Sequence, residues 1–99
     1  MAGIYNTEDR NVQSNIGAVT TAPFVMRGGK YWIETKSSGA GTIDLQRLGP
    51  DGTTYTARIT QITAAAGQQT IELPPGQYRW VVATFTANYL EMVRIPYEA

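Results

Sequence analysis

The chain has 99 residues, 42% hydrophobic and 16% charged, which is enough for one domain and no more. Eight basic residues balance eight acidic ones, and this tells against a nucleic-acid partner, because phosphate contacts demand a basic excess. With no cysteine and no histidine, disulfides, zinc sites and thiol chemistry are excluded, and neither a cofactor nor a metal is expected.

The first residues, Met1-Ala2-Gly3-Ile4-Tyr5-Asn6, lack the basic and apolar regions of a signal peptide. No apolar run reaches the ~20 residues of a membrane span. Synthesis in the cytoplasm and no membrane partner are therefore expected. Residues 1–15 read as an arm outside the core. From Asn6 to Asn15 the only large apolar side chain is Val12, with no period of 2 or 3.6, and the arm's apolar anchor is the pair Ile4-Tyr5.

Residues 16–99 read as the folded domain. Gly28-Gly29 ends a segment around Ala22–Met26, and Lys30–Lys36 follows, with Tyr31, Ile33 and Thr35 alternating against Trp32, Glu34 and Lys36. After Ser38-Gly39-Ala40-Gly41, the run Thr42–Leu48 places Ile43 and Leu45 on one face, Asp44 and Gln46 on the other. Gly49-Pro50-Asp51-Gly52 is a strong turn signal: proline presets φ, aspartate bonds the backbone beyond it, and glycine closes the turn. Tyr55, Ala57 and Ile59 open another run that continues to Ala66, and Ile71 and Leu73 lead to Pro74-Pro75-Gly76. The last runs are Gln77–Phe85 and Tyr89–Ile95, joined by Thr86-Ala87-Asn88. Strands at roughly ten-residue spacing without a helical period indicate an all-β fold. A small antiparallel two-sheet sandwich is expected, jelly-roll-like, with seven or eight short strands and an N-terminal arm.

Without histidine or cysteine, a catalytic base would be a carboxylate or a lysine. A hairpin turning at Ser38–Gly41 would bring Glu34, Lys36 and Asp44 onto one face, where mixed charges suit a solvated sheet. No enzymatic activity is expected. Asp51 is a turn residue and not part of a calcium cage, and the glycine pairs lack the helix that a phosphate loop needs.

The aromatic residues are more informative. A three-residue loop pairing Phe85 with Tyr89 would give one face Tyr78, Trp80, Val82, Leu90 and Met92. The other would carry Val81, Phe85, Tyr89 and Val93 together with Arg79 and Glu91. A sandwich strand has one face in the core. The face with Glu91 is therefore expected outward, as an exposed apolar patch that meets a partner. The expected interface comprises Ile4, Tyr5, Val81, Phe85, Tyr89, Val93 and Tyr97. Near-zero net charge favours association between copies.

Four phrases carry a resemblance: Gly29-Lys30-Tyr31-Trp32-Ile33-Glu34-Thr35, Thr42-Ile43-Asp44-Leu45-Gln46 running into Gly49-Pro50-Asp51-Gly52, Leu73-Pro74-Pro75-Gly76-Gln77-Tyr78-Arg79, and Val93-Arg94-Ile95-Pro96. In these the chain resembles small β-sandwich proteins of tailed-phage virions, of the capsid decoration or cement type. The resemblance implies a structural protein that multimerises and fastens neighbouring copies of the major capsid protein on the outer capsid surface. A homo-oligomer is expected, a trimer before other numbers, because three-fold lattice positions repeat identical surfaces. A tail or fibre component and a carbohydrate-binding sandwich module are the alternatives.

Overall fold

The computed structural model describes residues 9–95, which form eight strands and no helix. In chain order these are β1 (Arg10–Ile16), β2 (Phe24–Met26), β3 (Gly29–Ser38), β4 (Thr42–Leu48), β5 (Tyr55–Ala57), β6 (Ala66–Leu73), β7 (Gly76–Ala83) and β8 (Thr86–Arg94). Two four-stranded antiparallel sheets face each other, sheet I in the order β1-β8-β3-β6 and sheet II in the order β2-β7-β4-β5. This is the two-sheet sandwich expected, and its strand order is that of a jelly roll wound from two Greek keys. Alternation decides the faces: Tyr31 and Ile33 on β3, Ile43 and Leu45 on β4, Tyr78, Trp80 and Val82 on β7, and Leu90 and Met92 on β8 are all buried between the sheets.

Two expected hairpins do not form. β3 and β4 lie in different sheets, as do β7 and β8, so the short connections after Ser38 and after Ala83 are crossovers. In the second, Phe85 N donates to Ala83 O at 2.8 Å around Thr84, whose φ is 74°. This three-residue turn breaks the alternation, and Phe85 swings into the core. The fully buried Asn88 then ties the corner together. Its Nδ2 donates to Ile16 O (2.9 Å) and Phe85 O (3.1 Å), and its Oδ1 accepts from Ser37 Oγ (2.6 Å).

The arm expected over residues 1–15 is corrected in part. Residues 1–8 lie outside the described residues, but Arg10–Ile16 are β1, an edge strand of sheet I. Asn11 faces inward, and its Oδ1 accepts from the buried Trp80 Nε1 at 2.9 Å, a bond from one sheet to the other. A polar strand escaped detection because its inward groups are Asn11 and Gln13 instead of apolar ones.

The fold repeats itself after 47 positions. Gly29 and Gly76, Tyr31 and Tyr78, and Arg47 and Arg94 match at that offset, and Ile43, Leu45, Phe24 and Met26 meet Leu90, Met92, Ile71 and Leu73. The pairings repeat as well: Met26↔Gly76 corresponds to Leu73↔Gly29, Phe24↔Tyr78 to Ile71↔Tyr31, and Gln46↔Ala57 to Val93↔Arg10. So do the hydrogen bonds. Tyr31 and Tyr78 donate their hydroxyls to Arg27 O and Pro74 O, while Arg94 Nε and Arg47 Nε donate to Gly28 O (3.0 Å) and Pro75 O (3.1 Å). Burial first, and then Asp9, pushes the Tyr31 hydroxyl up to about 12, and burial likewise raises Tyr78, so both remain neutral donors. Each 47-residue unit gives two strands to each sheet.

The expected turn at Gly49–Gly52 is present, closed by Gly52 N donating to Gly49 O at 3.0 Å. The Asp51 carboxylate accepts from Thr54 N (3.0 Å), Thr53 N (3.1 Å) and Thr54 Oγ1 (2.7 Å). These bonds, the Thr54 amide foremost, hold its pKa at about 2 against an ordinary 3.8. A depressed carboxylate stabilises the fold above its unfolded pKa, and that contribution is lost as pH falls through the folded one. The Asp51 carboxyl carbon is therefore expected to titrate near pH 2 in NMR of the folded chain, and higher in Thr54→Val. Replacing Asn88 strands buried carbonyls, so Asn88→Ala is expected to lower the unfolding free energy by about 2–3 kcal/mol in urea titrations.

Candidate binding face

The outer face of sheet I is built in rows by the strand registers. One row runs Arg10, Val93, Trp32, Thr70; the next runs Val12, Glu91, Glu34, Gln68; a third runs Tyr89, Lys36, Ala66. Aliphatic and aromatic groups thus interleave with charges of both signs. Tyr89 is 49% and Val12 44% exposed, while Trp32 and Val93 are half-buried. Between Val12 and Tyr89 lies a shallow depression of about 280 Å³, bordered also by Glu34, Lys36 and Glu91. Its border mixes Val12 and Tyr89 with two carboxylates and one lysine.

The charges on this face are mutually placed. Glu34 and Glu91 stand directly opposite each other on β3 and β8, an arrangement that destabilises unless countered. Arg10 Nη2 lies 3.4 Å from Glu91 Oε2, and Trp32 Nε1 donates to Glu34 Oε1 at 3.2 Å. The ion pair is exposed on both sides, so it contributes at most about 1 kcal/mol and orients more than it stabilises. The indole bond fixes the Trp32 ring over the sheet.

The expected interface residues do not all meet here. Tyr89 and Val93 do, on β8. Val81 lies on the outer face of sheet II, half-buried between Thr20 and Asp44. Phe85 is fully buried, so its assignment to a surface patch is corrected: the turn at Thr84 reverses its direction. Ile4, Tyr5 and Tyr97 lie outside the described residues. The charged trio is also divided, because Glu34 and Lys36 belong to sheet I, whereas Asp44 sits on sheet II and accepts from Gln61 Nε2 at 2.8 Å. Arg10 and Val12 join the face only through the pairing of β1 with β8, which no apolar alternation in Arg10–Ile16 announces.

The repeat sharpens the contrast between the outer faces. At 47 positions' remove, Trp32 corresponds to Arg79, Glu34 to Val81, Lys36 to Ala83 and Tyr89 to Thr42. Most inward positions stay apolar, Thr35 against Val82 being an exception, while the outward residues named here all differ. No group of three or more potential metal ligands occurs among the described residues. No family model, no curated protein and no solved structure matches the chain.

The two aromatic positions are expected to separate cleanly on mutation. Phe85→Asp places a carboxylate in the core and costs about 4 kcal/mol or more, enough to unfold much of a domain this small. Tyr89→Asp is expected to change stability by less than about 1 kcal/mol. Circular dichroism with urea unfolding checks both.

Proposed function

We propose that the chain is a non-enzymatic structural protein of a phage particle, of the capsid decoration type, which multimerises and binds the outer capsid surface through the exposed face of sheet I. The observation that carries this reading is that face itself: Val12, Trp32, Tyr89 and Val93 stand outward among Arg10, Glu34, Lys36 and Glu91. Patches of this kind mark protein partners. A shallow, two-sign surface suits the broad, repeated faces of a capsid lattice better than a small molecule. The strand and turn phrases that resemble virion sandwich proteins support the same reading. The jelly-roll order supports it by fold analogy, since that architecture serves both capsid and lectin domains.

The lectin side of that analogy has one observation in its favour. Trp32 is held beside a carboxylate by its indole N–H, and aromatic faces with adjacent acids stack on sugar rings. Co-sedimentation with capsids and a glycan array separate the two. The chain is expected to pellet with capsids, and Tyr89→Asp is expected to weaken that binding about tenfold or more. A chain left in the supernatant while binding a glycan would overturn the capsid reading.

A further inference from the structure

Edge strands expose unpaired main-chain groups, and proteins guard them with bulges, prolines, charges or brevity. Three of the four edges among the described residues are guarded in this way. β1 carries a register shift between Gln13 and Ile16, with Asn15 at φ 54°. β2 and β5 have three residues each, and Pro23 precedes β2. β6 is the least guarded of the four. It pairs with β3 at eight successive positions without a shift, contains no proline or cation, and has Glu72 as its one charge. The repeat makes the difference explicit, since Thr70 of β6 stands 47 positions after Pro23.

The direction of the free groups follows from the ladder. Ser37 N donates to Ala65 O at 2.7 Å, so in this antiparallel register Thr35↔Gly67, Ile33↔Gln69 and Tyr31↔Ile71 are the hydrogen-bonded pairs. Ala66, Gln68, Thr70 and Glu72 therefore turn their N–H and C=O groups away from β3, along the open edge.

We propose that β6 pairs antiparallel with β6 of a second copy, about a two-fold axis normal to the sheet at Gln69. In that register Ala66 faces Glu72 and Gln68 faces Thr70, so every outward main-chain group of the strand gains a partner. The two Glu72 carboxylates are kept apart, and a chain of zero formal net charge offers no general repulsion. The contact is isologous and closes at two copies. An axis normal to the sheet also turns both outer faces of sheet I the same way, which makes one continuous double-width surface and lets two faces bind together. The inference deepens the multimerising part of the proposed function, and it is tested on the free chain without capsids.

Sedimentation equilibrium is expected to give twice the 10.8 kDa chain mass for the natural sequence and for Tyr89→Asp. Thr70→Pro removes a donor from the open edge while leaving the β3 ladder intact, so it is expected to halve the mass with an unchanged far-UV spectrum. Amide exchange in the natural chain is expected to be as slow at Gln68 and Thr70 as at Ile71. The proposal is overturned by a single-chain mass up to about 1 mM, by a Thr70→Pro dimer, or by fast exchange at Gln68 and Thr70 in a dimeric sample. Should Thr70→Pro lose its sheet spectrum, the exchange comparison alone decides. A dimer dissociated by Val12→Pro and not by Thr70→Pro would move the contact to β1 and refute it.

Discussion

The sandwich depends on two places where no Cβ exists. At Gly29 and Gly76 the backbone has φ near +152° and +154°, and a Cβ would stand 2.5 Å from Arg94 Nε and 2.7 Å from Arg47 Nε. The arginines occupy that space, each laying its guanidinium across the start of a strand and donating to a carbonyl one residue earlier. Two residues after each glycine, a tyrosine reaches back to a carbonyl four residues before it. Together the three residues seal an end of the sandwich, with each tyrosine hydroxyl and each arginine Nε bonded to a main-chain carbonyl, as burial of such groups requires. The strands that begin at Gly29 and Gly76 are inner strands, each paired on both sides.

From those two starts the chain crosses between sheets instead of folding back. Both crossovers meet at one end, where Gly41 is small enough for the main chain at Ala83 and Phe85 to lie directly against it. The left-handed turn at Thr84 is a conformation that a β-branched residue adopts only under constraint. It is held by the Phe85 ring in the core and by Asn88 beneath it. The aromatic core and the outward face of β8 are therefore set by one corner: the same turn that drives Phe85 inward leaves Tyr89, Glu91 and Val93 facing out.

Much of this architecture is legible in the residues. The period of two over Lys30–Lys36, Thr42–Leu48 and Gln77–Val82 identifies strands and their buried faces, and Gly49–Gly52 announces its own turn. Connectivity is another matter. A short loop between two alternating runs has the same appearance whether the strands pair or part, and in a jelly roll sequence neighbours mostly part. β1 hides for a different reason, since a strand whose inward side chain is Asn11 satisfies Trp80 by a hydrogen bond and shows no apolar stripe. The outer face of sheet I is legible only in half: Tyr89 and Val93 are visible from β8 alone, but Val12 and Trp32 join them through pairings of high sequence separation. The 47-residue repeat is present in Gly29-x-Tyr31 and Gly76-x-Tyr78, each followed by an arginine at the same distance, and is faint because few residues besides those at the corners are identical.

The jelly-roll order has a consequence for how the chain is born. The strand next to Arg10 is the one that contains Val93, and β3 needs β6 and β8 on its two sides; of all the strands consecutive in sequence, only β4 and β5 are neighbours in space. Contacts of such separation must close large loops before they yield any stabilisation, which places the domain among slow folders. On a ribosome the first half can bury nothing durable until β8 has cleared the exit tunnel. Until then its aromatic residues stay open to whatever chaperone or sister chain is nearest.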